Sequence, residues 1–403
     1  MSCFELEFAC LIPKSKPEEE ISETPLVSYK GTEYKKTVRL NFPSWKPIKS
    51  RLRRFWNWLG FVWFHSRSRK CRKVTFFFIL TILLLFFMIV GVFVPLIFKC
   101  STAFRQRVIF SPVVATHESF NEVIKLHKSY DSKTFIKPDN FYVTVDSTRN
   151  SRVGAWSLTE YGKGNSGSYN GRTSTNNYLL LFHDSYGNRR SYLTDYSRLL
   201  HIFNIIVFDY RAYGDSDVDD LNESGLVRDS VEVFKWLRAH VNGSVFLWGD
   251  NLGSAIAAHT AAVLSNQSMP ACGVLLENPF TTMGEQLAYS WFIAQINWYM
   301  PWYKSMFVSP LEESDLVFNT SKYLNEITFP VSFLEWTVHR ARDFNINISY
   351  YKENNYNSFD PPTVVSYIER YYYYKTDYYI NSELENFLWS FIDTGRKYCD
   401  TKH

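Results

Sequence analysis

Short apolar runs recur through the middle of the chain: Tyr178–Phe182 (YLLLF), Ile205–Asp209 (IIVFD), Val245–Trp248 (VFLW), Gly273–Leu276 (GVLL) and Val331–Leu334 (VSFL). Runs that are continuous rather than alternating suit strands buried on both faces of a parallel sheet. Between the second and third runs, Val227, Val231, Phe234 and Leu237 form one helical stripe, closed by Asn242-Gly243. Ahead of them Phe141–Val145 alternates, which predicts a leading antiparallel strand. Strand, helix and strand in this repetition predict a doubly wound α/β domain over roughly 105–395. Residues 163–177, rich in Gly, Ser and Asn, read as an exposed loop insertion. No internal repeat is seen.

One apolar stretch is different in kind. Val74 to Phe98 runs 25 residues without a charge, where a membrane-spanning helix needs about 20. It is too long and too uniformly apolar for a core helix, and it begins too deep in the chain for a cleavable signal peptide. Thr75 and Thr81 can bond back to the helix, and Pro95 lies near the far end, where a break costs little. Arg67, Arg69, Lys70, Arg72 and Lys73 crowd the upstream flank, against Lys99, Arg105 and Arg107 downstream. That bias puts the N-terminal side in the cytosol. The expected form is therefore a single-pass, type II membrane protein of the endoplasmic reticulum. Its parts are a cytosolic tail (1–50), a basic-aromatic juxtamembrane segment (51–73), a signal anchor (74–98) and a lumenal or extracellular domain. The aromatic run Phe55–Phe64 suits either an interfacial segment on anionic lipid or a loop with anchors at headgroup level.

Charge sharpens this division. The net charge is only +4, which excludes a strongly basic nucleic-acid binder, but residues 1–73 carry +9 and the remainder −5. Six cysteines show no CxxC pair and no metal-ligand spacing, so no metal is expected. Cys272 and Cys399 can pair if the domain is lumenal, and spacing does not decide it. Glycosylation sequons stand at Asn222, Asn242, Asn266, Asn319 and Asn347, and none precedes Val74.

The chemistry-bearing motif follows the VFLW run. Gly249-Asp250-Asn251-Leu252-Gly253 and an Ala-rich helix have the frame of G-x-S-x-G, the nucleophile elbow, whose two glycines leave room for a sharp strand-to-helix turn. Its centre, normally Ser, is Asn251. Asn tolerates positive φ, so it is expected to ease the turn. Asp250 and Ser254 are the alternatives for a displaced nucleophile.

Three further runs carry a resemblance. FDYRAYGDS (Phe208–Ser216) resembles a DYRGxGDS stretch, LENPFT (Leu276–Thr281) resembles LESPFT, and Phe182-His183-Asp184-Ser185-Tyr186-Gly187-Asn188 resembles an HGNxGNR oxyanion loop. With the anchor, the chain resembles the membrane-anchored α/β-hydrolase-domain lysophosphatidylserine and monoacylglycerol lipases. The resemblance spans about residues 74–392 and fades after 330. It implies an α/β-hydrolase fold with a helical cap at about 283–327, and no cofactor. It places the oxyanion-hole donors at Ser185 and Leu252, the nucleophile at Asn251 and the acid at Val338. Glu335 and Asp343 are off-position substitutes for the acid. The resembled family's histidine belongs near the end, yet there is none from Arg340 to Lys402, a region rich in Tyr. An amide has no oxygen to activate for acyl transfer, and Asp184 puts a carboxylate beside the developing oxyanion.

The cap insertion carries Trp291, Phe292, Trp298, Tyr299, Trp302 and Phe307. This suits an acyl tunnel, a surface dipped into the membrane, or the packing of a helical cap. The expected function is a pseudoenzyme that binds a lysophospholipid, an acylglycerol or a protein partner of unknown identity at membrane lipids. A lipase with a displaced catalytic set is the alternative.

Overall fold

The structure, a computed structural model, describes residues 69–114, 127–128, 134–163, 169–172, 176–192, 199–337, 367–371 and 382–402. The tail, most of the juxtamembrane segment, Val338, Asp343 and Asn347 lie outside the described residues. The chain divides into two units, Met1–Phe78 and Ile79–His403.

Helix α1 (Arg69–Met88) continues through a π-helical turn, Ile89–Phe93, into α2 (Val94–Cys100), and α3 (Thr102–Ile109) follows. Lys73–Cys100 is the one helix among the described residues that is long and apolar enough to cross a membrane. The break falls before Pro95 rather than at it. A proline ring crowds the preceding turn and has no N–H to give, and a widened turn just upstream accommodates it.

Eight strands form the body of the sheet: β1 (Thr134–Asp146), β2 (Ser151–Lys163), β3 (Asn177–Phe182), β4 (Asn204–Phe208), β5 (Ser244–Asp250), β6 (Gly273–Glu277), β7 (Val331–Thr337) and β8 (Tyr367–Tyr371). Their spatial order is β1-β2-β4-β3-β5-β6-β7-β8. All neighbours from β4 to β8 run parallel, and β2 is antiparallel to both β1 and β4. The β1–β2 hairpin was legible only as the alternating Phe141–Val145. The expected loop over 163–177 also differs, since Tyr169–Arg172 pairs with the end of β2.

The continuous apolar runs have their explanation in two cores. Leu180, Phe182, Val245 and Leu247 pack on one face, and Leu179, Leu181, Phe246 and Trp248 on the other. The first face is covered by α4 (Glu223–His240), whose expected stripe is buried, and by α5 (Leu252–Asn266). Between β6 and β7 come α6 (Met283–Ser290), α7 (Phe292–Asn297), a π turn (Lys304–Val308), α8 (Ser309–Glu313) and α9 (Thr320–Leu324). The second face is covered by α10 (Ser382–Lys402) through Leu384, Leu388, Phe391 and Ile392.

Cys272 and Cys399 form a disulfide that ties α10 to the start of β6 across 127 residues of sequence. Closing so long a loop restricts the unfolded chain. Cys399→Ser is therefore expected to cost about 2–4 kcal/mol, read as a lower denaturant midpoint under non-reducing conditions.

Candidate functional site: the elbow between β5 and α5

The turn from β5 into α5 is built by close approach. A Cβ on Gly253 would lie 2.1 Å from the Phe182 carbonyl oxygen, and one on Gly249 would lie 2.2 Å from the Gly253 carbonyl oxygen. Asn251, between them, has φ 52° and ψ −107°. Asn is tolerated in the left-handed helical basin, which needs ψ near +47°. Asn251 is far from that basin, so the expectation that it eases the turn is corrected: the strained conformation is retained. The Asn251 N–H donates to the Glu277 carbonyl (2.9 Å), which holds the strain in place.

Among the described residues, the Asn251 side chain hydrogen-bonds to two. Its Nδ2 donates to Asp184 Oδ2 (3.4 Å) and its Oδ1 accepts from Gln286 Nε2 on α6 (3.4 Å). Gln286 carries no sequence signal for this role. The capping pair Thr282 and Glu285 marks where its helix begins, but not which side chain reaches the elbow.

The two expected oxyanion donors do converge, and on the protein's own carboxylate. Ser185 N donates to Asp184 Oδ1 at 2.6 Å, and Leu252 N donates to the same oxygen at 3.4 Å. The first turn of α5 adds a partial positive charge there. Of the displaced nucleophiles, Ser254 is fully buried and its Oγ donates to the Asn251 carbonyl at 2.6 Å. Asp250 is buried in register with Glu277. Val338 and the segment expected to carry a histidine lie outside the described residues.

The loop that carries Asp184 is pinned by the Phe208–Ser216 run. Arg189, fully buried, donates its backbone N–H to Asp209 Oδ1 (2.5 Å) and pairs with Asp209 Oδ2 through Nη1. It also reaches Asp215 Oδ1 (2.7 Å) and Asn140 Oδ1 (2.8 Å). The Tyr210 hydroxyl donates to the His183 carbonyl and the Tyr213 hydroxyl to the Ser185 carbonyl, each at 2.8 Å. Burial holds the His183 imidazole below the usual histidine range. A second buried cluster ties the cap to the body. Glu223 accepts from His259 Nδ1 (2.7 Å), the Tyr323 hydroxyl and Phe318 N (both 2.5 Å).

A strained β5–α5 turn on a sheet of this order defines the α/β-hydrolase fold. The chain has this fold, and it is similar in sequence to lysophosphatidylserine lipases named ABHD12. The rat protein is 31% identical over 133 residues, 33% of each chain. That of Xenopus tropicalis is 32% identical over 133 residues, 33% of this chain and 34% of its own. The chain therefore spans about a third of the length of the curated relatives it matches. No family model matches. Among solved structures, the Pyrococcus furiosus esterase Pf2001 covers 71% of this chain and 97% of its own at 14% identity, with a TM-score of 0.49. An α/β hydrolase from Vibrio vulnificus covers 60% and 77% at 15% identity, with a TM-score of 0.42.

Breaking one side of the buried Arg189–Asp209 pair leaves an uncompensated charge. Arg189→Met is expected to lose about 3–5 kcal/mol, measured by chemical denaturation.

Proposed function

We propose that this chain is a type II membrane protein that keeps a lipid-hydrolase scaffold without its ester chemistry. In this reading it acts by binding a lysophospholipid or acylglycerol, or a protein partner, at the membrane. The observation that carries the reading is the Asp184 carboxylate on both oxyanion donors, Ser185 N and Leu252 N. An ester's developing oxyanion would have to displace a charge of its own sign from the donors meant to stabilise it. Asn251 adds the second loss, because the elbow presents an amide where acyl transfer needs a hydroxyl. Loss of a catalytic triad costs on the order of a million-fold in rate, and a filled hole removes much of what would remain.

The topology reading rests on the cationic flank before Val74, on the Cys272–Cys399 disulfide and on the sequons. A disulfide persists in an oxidising compartment, which suits a lumenal domain in the endoplasmic reticulum. The sequons divide by structure. Asn242 and Asn266 are exposed. Asn222 and Asn319 are partly buried, and their side chains cap α4 and α9 by accepting from Gly225 N and Lys322 N.

A serine-reactive fluorophosphonate probe is expected to leave the full chain unlabelled, and Asn251→Ser alone to release no fatty acid from lysophosphatidylserine. Labelling of the native chain at any pocket residue would end the pseudoenzyme reading. Glycosidase treatment is expected to reveal glycans lost in two steps with Asn242→Gln and Asn266→Gln. Cap-preserving Asn222→Asp and Asn319→Asp are expected to leave the glycan pattern unchanged.

A further inference from the structure

We propose that the cap is a second membrane contact: Phe292, Tyr299, Met300 and Trp302 sit in the headgroup layer of the same bilayer that the apolar helix crosses. The proposal rests on the membrane reading above and goes beyond it by placing the cap at a defined depth.

The argument starts from one backbone carbonyl. In the π turn, Val94 N–H bonds to the Ile89 carbonyl, five residues back. The next donor in that pattern, for the Val90 carbonyl, is residue 95, which is proline and has no N–H. An orphaned carbonyl on a lipid-embedded helix is costly. Here it is answered from the cap, where the buried Asn297 donates Nδ2 to the Val90 carbonyl at 3.1 Å. The same amide accepts from Trp302 Nε1 at 3.1 Å, so this bond also sets where Trp302 stands.

Further along the helix, Phe98 is fully buried against Trp291 and Phe307, with ring centroids at 5.5 and 5.2 Å. Arg105 Nη1 bonds the Phe98 and Lys99 carbonyls, both at 2.7 Å, and its Nε reaches Ser314 Oγ at 3.0 Å. The cap therefore lies beside the helix from Val90 to Phe98, about 12 Å of axis.

Over this same length the other side of the helix is apolar and exposed, at Val92, Phe93, Leu96 and Ile97. Those side chains need lipid around them, so lipid reaches at least to Ile97. Anything packed beside the same turns is at the same depth. The cap meets that level with Phe292, Tyr299, Met300 and Trp302 exposed, and with Lys99 and Lys304 exposed nearby. Aromatic rings with a polar edge, flanked by lysines that reach for water, are the composition of a membrane–water boundary.

The test uses the full chain, with Cys3, Cys10, Cys71 and Cys100 replaced by Ser. A single reporter cysteine at Tyr299, Val218 or Phe86 carries an environment-sensitive fluorophore. Each variant is placed one chain per phosphatidylcholine nanodisc, with or without lipids spin-labelled both near the headgroup and at mid-chain. Tyr299 and Val218 are 89% and 84% exposed in the protein itself, so a difference between them reports what covers them from outside. The expected result is that Tyr299→Cys and Phe86→Cys lose most of their emission to the spin-labelled lipid while Val218→Cys keeps it. Quenching at Phe86→Cys without quenching at Tyr299→Cys overturns the proposal and leaves the anchor intact. Quenching at neither position overturns the membrane reading beneath it. A blue-shifted, unquenched Tyr299→Cys would mean that protein, such as a second copy, covers the surface, and would also overturn the proposal.

Discussion

Helix α5 starts so close to strand β3 that a single methyl group on Gly253 would collide with the Phe182 carbonyl. That contact aims the amino end of α5 at the 183–185 loop, forces the backbone of Asn251 into its strained turn, and puts the Leu252 N–H within reach of Asp184. In a hydrolase this tight turn projects a nucleophile. Here the same geometry holds an internal salt-like contact between a carboxylate and a helix terminus. The turn acts as a clasp: Asp184, Asn251 and Gln286 form one chain of hydrogen bonds from the 183–185 loop to the cap.

The matched sequence runs acquire a shared physical purpose in the fold. Asp209, Tyr210, Tyr213 and Asp215 come from the loop after β4, and each bonds the 183–189 loop or its Arg189. None of these bonds needs a working nucleophile. A network that fixes loop shape is selected for stability as well as for catalysis, since an unpaired buried Arg189 or Asp209 would be costly in either case.

Much of the sheet was legible because both of its faces are covered, so β3 to β7 appear as uninterrupted apolar runs. β2 was missed because Arg152, Gly154 and Ser157 interrupt its pattern, and its partners are antiparallel neighbours. β8 was not legible because Glu369 and Arg370 put two adjacent charges in the middle of a five-residue strand. At the site, sequence located Asn251, Ser185 and Leu252 from a short motif, and flagged Asp184 as repulsive to an oxyanion. That Asp184 fills the hole depends on side-chain direction, which no spacing encodes. Gln286 was out of reach for the same reason. Pro95 was visible, but Asn297, about two hundred positions later, answers the Val90 carbonyl, which only the π turn exposes. The Cys272–Cys399 pairing could not be read from spacing at all, because sequence separation carries no information on Cα distance.

That pairing has a consequence for the order of manufacture. Cys272 lies in the body of the sheet, while Cys399 arrives with the final helix, 127 residues later. At ribosomal speed the wait is on the order of ten seconds. Throughout that interval Cys272 is an unclaimed thiol, and Cys100, a free and exposed thiol, has already been made. The cover over Cys272 is α10 itself, whose Gly395 packs on the Cys272 carbonyl, so the helix that brings the partner thiol is also the one that closes off a wrong crosslink.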